Sequence, residues 1–289
     1  MKGVGVVDVS ARGRLLLGGG DRVRFLQGMV TNDVAALGEG TSCRAAMLDP
    51  KGHVLADMLV RAEPDAFLVS TEPELRGPLL ALFDRHIIVD DVTLADESNA
   101  TAELAVYGAG AAEAAARASG LRILLAPLGA HVVGEPALVR GFADELHSGG
   151  AVLLDAEAVE ALRIERGVTR WGREISPDVL PLEAGLDDAI SHTKGCYVGQ
   201  EPVARVTTRG HVNKKVVGLL CAALPAAGDR VSAASRPDAG MVTSAVQSPT
   251  LGRPIALAFL HRSLLEPGTG VTVGQGIAAE VAALPFVVW

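Results

Sequence analysis

The chain has 289 residues, 49% of them hydrophobic but only 3% aromatic, and a formal net charge of −8. That length accommodates roughly two domains of ~150 residues, or three small ones, with a core built mainly from Leu, Val and Ala. The acidic balance argues against general nucleic-acid or membrane-surface binding, and no uninterrupted apolar run approaches the ~18 residues that span a bilayer.

In chain order, the opening stretch MKGVGVVDVSARGR lacks a hydrophobic run of signal-peptide length, so a cytoplasmic location is expected. GRLLL, residues 13–17, reads as a short strand ending at Gly18-Gly19-Gly20. DRVRFLQGMVTNDV then predicts a helix with Asp21 as N-cap and Val23, Leu26 and Met29 on one face. HVLADMLVRAEPDAFLVSTE reads as two strands joined through Glu63-Pro64-Asp65. EPELRGPLLALFDRH has helical spacing, with Gly77-Pro78 starting or kinking it, and IIVDDVTLAD is strand-like.

A second series follows. TAELAVYG predicts a strand, and AGAAEAAARASG an alanine-rich helix stopped by Gly120. AHVVG and ALVRG read as a strand pair around Glu135-Pro136. Short antiparallel strands among helices point to α+β layers rather than a doubly wound parallel sheet. DAEAVEALRIERG predicts a helix capped by Asp155 and closed by Gly167, with Ala158, Val159 and Leu162 as its apolar face. From Val216 onward, short strands and Gly/Pro turns predict an all-β barrel or sandwich.

Most local signals for chemistry are weak. Tyr107 to Glu113 resembles a dinucleotide turn, but Glu113 would crowd a helix against its strand, and a tight turn is the better reading. No histidine pairs with another His or Cys at metal-ligand spacing, so no metal is expected. Cys43, Cys196 and Cys221 are odd in number and widely spaced, which argues against a disulfide framework.

The stretch TKGCYVGQEPVAR, Thr193 to Arg205, differs in kind. Lys194 beside Cys196 would lower the thiol pKa, and Gly195 and Gly199 permit close backbone approach. The competing reading is a small buried hydrophobe. Residues 177–190 carry four acids and no base, whereas Arg205, Arg209, Lys214 and Lys215 follow with no acid among residues 205–215. That basic run would suit the carboxylates of a ligand, a solvated connector, or RNA.

KGCYVGQEPVAR resembles the K-G-C-x-x-G-Q-E signature of the YgfZ-type folate-binding proteins, in the superfamily of the glycine-cleavage T-protein, an aminomethyltransferase. FLQGMVTNDV, LRIERGVTRWGREI, PLEAGL and GMVTSAVQSPTLGRPIALAFL resemble further superfamily patterns, so the resemblance spans nearly the whole chain. It implies an α+β fold: a three-lobed ring of two α+β, ferredoxin-like lobes and a C-terminal antiparallel β-barrel. The implied lobes are residues 1–50 plus 151–210, residues 51–150, and residues 211–289.

The resemblance further implies tetrahydrofolate binding in a central cleft, and support of iron–sulfur enzyme assembly or repair, including enzymes that modify tRNA. The implied partners are folate and iron–sulfur client or assembly proteins, with no membrane and no direct nucleic-acid contact. If the chain is an enzyme, the implied class is a tetrahydrofolate-dependent one-carbon transferase. The alternative is aminomethyl transfer of T-protein type, for which GHVLAD retains one acid, Asp57, and replaces the other with Ala56.

The implied catalytic residues are Cys196, Lys194 and Asp57. The implied folate contacts are Glu165, through two carboxylate acceptors for pterin N–H groups, with Asn32, Gln27, Tyr197, Gln200, Glu201, Arg205 and Trp171. For Glu165 the structural alternative is pairing with Arg163 or Arg166, for Asn32 a turn or cap, and for Trp171 the core.

Overall fold

The computed structural model describes residues 3–289, and the chain divides into two compact units, Met1–Leu154 with Asp188–Gln200, and Asp155–Asp187 with Glu201–Trp289. The first unit contains β1 (Gly5–Asp8), β2 (Gly13–Gly18), α1 (Arg22–Met29), β3 (Ser42–Leu48), β4 (Val54–Ala62), β5 (Ala66–Thr71) and α2 (Arg76–His86). It continues with β6 (Thr93–Asp96), β7 (Ala102–Tyr107), α3 (Ala111–Ala115), β8 (Arg122–Ala126), β9 (Gly129–Gly134), α4 (Pro136–Ser148) and β10 (Val152–Leu153). The second contains α5 (Ala156–Glu165), most of α6 (Gln200–Arg209), and β11 (Lys214–Cys221), β12 (Arg230–Ala233), β13 (Arg236–Ser248), β14 (Arg253–His261), β15 (Gly270–Val273) and β16 (Ile277–Ala282).

In the first unit the strands form two five-stranded sheets, ordered β3-β4-β5-β2-β6 and β10-β1-β7-β9-β8. Every pairing in them is antiparallel except β1 with β10. The β3–β4 hairpin turns through residues 49–53, so the lobe boundary expected at residue 50 falls inside a hairpin. The sheets meet through Leu59 and Leu68 on one and Leu124 and Val133 on the other. In the second unit, six antiparallel strands close a barrel, β11-β14-β13-β12-β15-β16, around Leu219, Val242, Ala258, Leu260 and Val273. The α+β class and the C-terminal antiparallel barrel match the expectation.

Several elements depart from the sequence reading. ALVRG is not a strand but the first turns of α4: Pro136 sits at the helix start, where its missing N–H is harmless, and Glu135 accepts from Ala137 N. Val139, Phe142 and Leu146 then face the core at helical spacing. In IIVDDVTLAD only Thr93–Asp96 is extended, and Ile88 and Val89 are exposed. On α1 the buried face is Phe25, Leu26 and Met29, with Val23 turned outward. Asp21 precedes the helix but does not cap it, because its carboxylate accepts from Asp91 N instead. Asp155 caps α5 as expected, accepting from Ala158 N at 2.8 Å.

A buried charged cluster ties the two sheets of the first unit together. Glu103 on β7 accepts from Ser70 Oγ on β5 and from His131 Nδ1 at 2.6 Å, with Arg12 at 3.3 Å and Arg14 at 3.5 Å. Burial pushes the Glu103 carboxyl up, but the His131 hydrogen bond and the Arg12 charge outweigh it and hold the group below the usual carboxylate range. A depressed carboxyl pKa contributes stability above the unfolded value of ~4.3, and that contribution is lost as the pH falls through the folded value. Glu103→Gln leaves two buried guanidinium groups without their shared carboxylate. Chemical denaturation at neutral pH should show a loss of about 3–5 kcal/mol, and the variant should lose less than the wild type on acidification.

Candidate functional site

The helix α1 ends without a glycine cap. Its C-cap residue, Val30, is extended, so the last carbonyls need partners from elsewhere. Lys194 supplies them. Its Nζ donates to the carbonyls of Gln27 at 2.6 Å, Val30 at 2.6 Å and Asn32 at 2.9 Å. One ammonium has three donors, and all are engaged, at the negative end of a helix dipole. The Tyr197 ring lies 5.1 Å from the same nitrogen. Burial draws the Lys194 pKa down to about 8, against the opposing charges of Asp33 and Cys43.

The rest of the segment Asp188–Gln200 docks around this clamp. Thr31 Oγ1 donates to Ala189 O at 2.6 Å, Ser191 N to Thr31 O at 3.0 Å, and Val198 N to Gly28 O at 3.2 Å. Gly199 has φ +79°, and a Cβ there would sit 2.4 Å from Asp49 O, so only glycine lets the chain pass the β3–β4 turn. Lys194 and Tyr197 are buried, and Cys196 between them is exposed.

The Lys194 charge is engaged by main-chain carbonyls, and it pulls the Cys43 thiol down against the burial that raises it. Burial pushes Cys43 up to about 11, and Cys221 likewise. Lys194 therefore anchors the segment that carries Cys196 to the end of α1.

Beside this segment lies an acid–base group on the β3–β4 hairpin. Arg44 and Asp57 are diagonal neighbours on one face, because Ala46 pairs directly with Asp57. Arg44 Nη2 lies 3.3 Å from Asp57 Oδ2, and Nη1 lies 3.5 Å from Asp188 Oδ1. Asp57 Oδ1 is buried and has no hydrogen-bond partner among the described residues. Burial pushes the Asp57 carboxyl up, Arg44 and Arg12 oppose the shift, and Glu72 adds to it. Ala56 points to the opposite face of β4 and is fully buried.

The predicted amides are engaged internally. Asn32 Nδ2 donates to Arg44 O and Asp188 O, and its Oδ1 accepts from Asp33 N. Gln27 donates to Asp33 and accepts from Ala35 N. In the second unit Glu165 is buried; it accepts from Ser248 Oγ, Thr250 N at 3.0 Å and Thr250 Oγ1 at 2.8 Å. Its carboxylate thus ties α5 to the β13–β14 turn, and among the described residues it pairs with neither arginine. Arg163 binds Glu160 and Glu174, and Arg166 stacks 4.2 Å over Trp289.

Trp171 is half-buried and bridges to Ile175. Gln200 and Glu201 open α6, and Arg205 is exposed on it; the side chain of Arg209 lies outside the described residues. Arg44 escaped the sequence reading, although a lone arginine in the apolar strand SCRAAML was its signal.

The sequence matches the GCVT N-terminal domain over residues 1–123 and the glycine cleavage T-protein C-terminal barrel domain over residues 214–287. An aminomethyltransferase of Rubrobacter xylanophilus is 32% identical over 98% of this chain and 82% of its own length. One of Bacillus subtilis is 29% identical over 98% of this chain and 87% of its own. The crystal structure of glycine cleavage system aminomethyltransferase T from Bartonella henselae aligns with a TM-score of 0.87 at 22% identity, over 99% of this chain and 87% of that one, a likeness of fold.

Two outcomes follow from the docked segment. Limited iodoacetamide treatment near pH 8, read by peptide mass spectrometry, should modify Cys196 well before Cys43 and Cys221, whose thiols burial holds protonated. Lys194→Met should remove the three carbonyl contacts and cost on the order of 3 kcal/mol in chemical denaturation. Faster modification of Cys43 than of Cys196, or a Lys194→Met variant of wild-type stability, would contradict this description.

Proposed function

Because the chain belongs to the glycine cleavage T-protein family, we propose that it binds tetrahydrofolate and acts, as YgfZ-type proteins do, in assembly or repair of iron–sulfur enzymes, tRNA-modifying ones among them. The observation that carries this reading is the exposure of Cys196. It is the one exposed cysteine of the three, and it sits in K-G-C-Y-V-G-Q-E between two buried anchors. A packing residue would not be presented in this way.

The donor set suits a reduced pterin. Asp57 Oδ1 is a buried acceptor without a partner, and a pterin ring offers N–H groups to such an oxygen. Tetrahydrofolate, when bound, supplies a carrier for one-carbon units. The chain's own residues do the rest: Asp57 accepts a hydrogen bond, Arg44 holds Asp57 in place, Lys194 docks the signature segment, and Cys196 presents a nucleophilic sulfur. Iron–sulfur client or assembly proteins are the partners this reading requires.

Aminomethyl transfer is the second reading, and one observation favours it. The two positions of the acidic pair lie on opposite faces of β4. Ala56 therefore replaces an acid on the core side, and the carboxylate beside Arg44 is retained.

A paired experiment separates the readings. In a cell lacking this protein, Cys196→Ser should fail to restore iron–sulfur enzyme activity while its thermal midpoint stays at the wild-type value. An assay with aminomethylated lipoyl carrier and tetrahydrofolate should yield no methylene-tetrahydrofolate above background. Full rescue by the serine variant would overturn the accessory role, and turnover of about 1 per second or faster would establish the transferase.

A further inference from the structure

The outer face of the barrel carries a group of charges that the folate reading does not use. On β14, Ala256, Ala258 and Leu260 pack inside the barrel, so Ile255, Leu257, Phe259 and His261 lie on its outer face. Ile164 of α5 packs with Ile255 and Leu257. Towards His261 the face opens: Phe259 is half-buried, and Met241, its register partner on β13, is 39% exposed. Lys214 on β11 is the register partner of His261, and its Nζ lies 4.9 Å from the centre of the Phe259 ring. Arg262 follows His261, its main-chain N donating to Asn213 O at 3.0 Å. Arg236 opens β13, and its Nε donates to Asp238 O at 3.0 Å.

These cations lack counter-charges. Among the described residues, none of Lys214, Arg236 and Arg262 pairs with a carboxylate, although their neighbours do: Lys215 lies 3.8 Å from Asp187, and Arg230 3.7 Å from Asp238. His261 Nδ1 accepts from Ser263 N at 3.3 Å, which leaves Nε2 as the donor of the neutral ring. Desolvation, with the charges of Arg236 and Arg262, holds the His261 pKa below the usual imidazole value. Like charges gathered on one face repel, and an anion placed among them relieves that repulsion.

The surroundings decide which anion fits. The chain carries a net charge of −8, so a long polyanion meets repulsion over most of its length. A short acidic segment meets only the local cations, because other charges are screened beyond ~8 Å at physiological salt. Single-stranded nucleic acid also needs open aromatic faces for its bases, and here Lys214 lies over the Phe259 ring. Exposed Met and Arg around an aromatic ring are instead the residues enriched where proteins meet proteins.

We propose that this end of the barrel, formed by Lys214, Arg236, Met241, Phe259, His261 and Arg262, docks an acidic segment of a partner protein. The cations meet its carboxylates, and Phe259 and Met241 form an apolar floor for a side chain between them. The contact is independent of folate.

The probe is a copolymer of glutamate and tyrosine, titrated into the full-length protein by calorimetry at low salt. Lys214→Glu combined with Arg262→Glu should weaken its binding about tenfold or more, the yield of a single lost charge-assisted contact. Arg253→Glu, at the opposite end of β14, should leave binding unchanged, and Arg262→Lys, which keeps the charge, should retain most of it. The second readout is the NMR titration of His261, its signal identified by loss in His261→Gln. A bound carboxylate favours the imidazolium, so the His261 midpoint should rise when the copolymer saturates the protein.

No binding, binding indifferent to the charge reversals, or an unmoved His261 midpoint overturns the proposal. Tighter binding of oligouridylate than of the copolymer, lost in the same variants, also overturns it and assigns the face to RNA. A dimer in sedimentation that the charge reversals dissociate overturns it in favour of a second copy of this chain. None of these outcomes bears on tetrahydrofolate binding, which is measured separately.

Discussion

One ammonium group organises the candidate site. Lys194 reaches three main-chain carbonyls at the end of α1 and just beyond it, and in doing so fixes the segment Asp188–Gln200 on the first unit. The helix gains the cation its C-terminus lacks, and the segment gains an anchor that no apolar side chain could provide. Burial of a charge is costly unless it is fully hydrogen-bonded, and here every donor is satisfied. The geometry around Cys196 follows from it: Tyr197 lies against the lysine nitrogen, Gly199 passes the β3–β4 turn, and the thiol between them is left at the surface.

The same docking brings the signature segment beside the β3–β4 hairpin. Asp188, at the start of the segment, shares Arg44 with Asp57. Asn32 links the two again, donating to the carbonyls of Arg44 and Asp188. A thiol-bearing segment and a buried carboxylate are therefore parts of one hydrogen-bonded assembly. Asn32 and Gln27 bond within the chain and help to hold this assembly in register.

The local signals in the sequence were enough for the barrel and for α5. Short strands with Gly/Pro turns after Val216, and the Asp155 cap with its Gly167 stop, are each patterns that a short window of sequence contains. The strand reading of ALVRG failed because a β-branched residue in a short apolar run fits either period, and Pro136 at the helix start was the deciding residue. The signature located Cys196, but not the main-chain partners of Lys194. Lys194 meets Val30 across 164 residues, and no local pattern announces so distant a partner. Ala56 and Asp57, at the positions of the T-protein acid pair, had a legible alternation, since neighbours on a strand face opposite sides; the sequence does not show that Asp57 stands beside Arg44. Glu165 was visible as part of a motif, whereas its engagement by Ser248 and Thr250 depends on the barrel closing around it.

The central claim is that the displayed thiol belongs to the folate site. The direct measurement is the alkylation rate of Cys196 as tetrahydrofolate is added, with binding followed in parallel by calorimetry. The account predicts a saturable slowing at Cys196, with the same midpoint as binding, and no change at Cys43 or Cys221. Saturation by tetrahydrofolate with an unchanged Cys196 rate would contradict it.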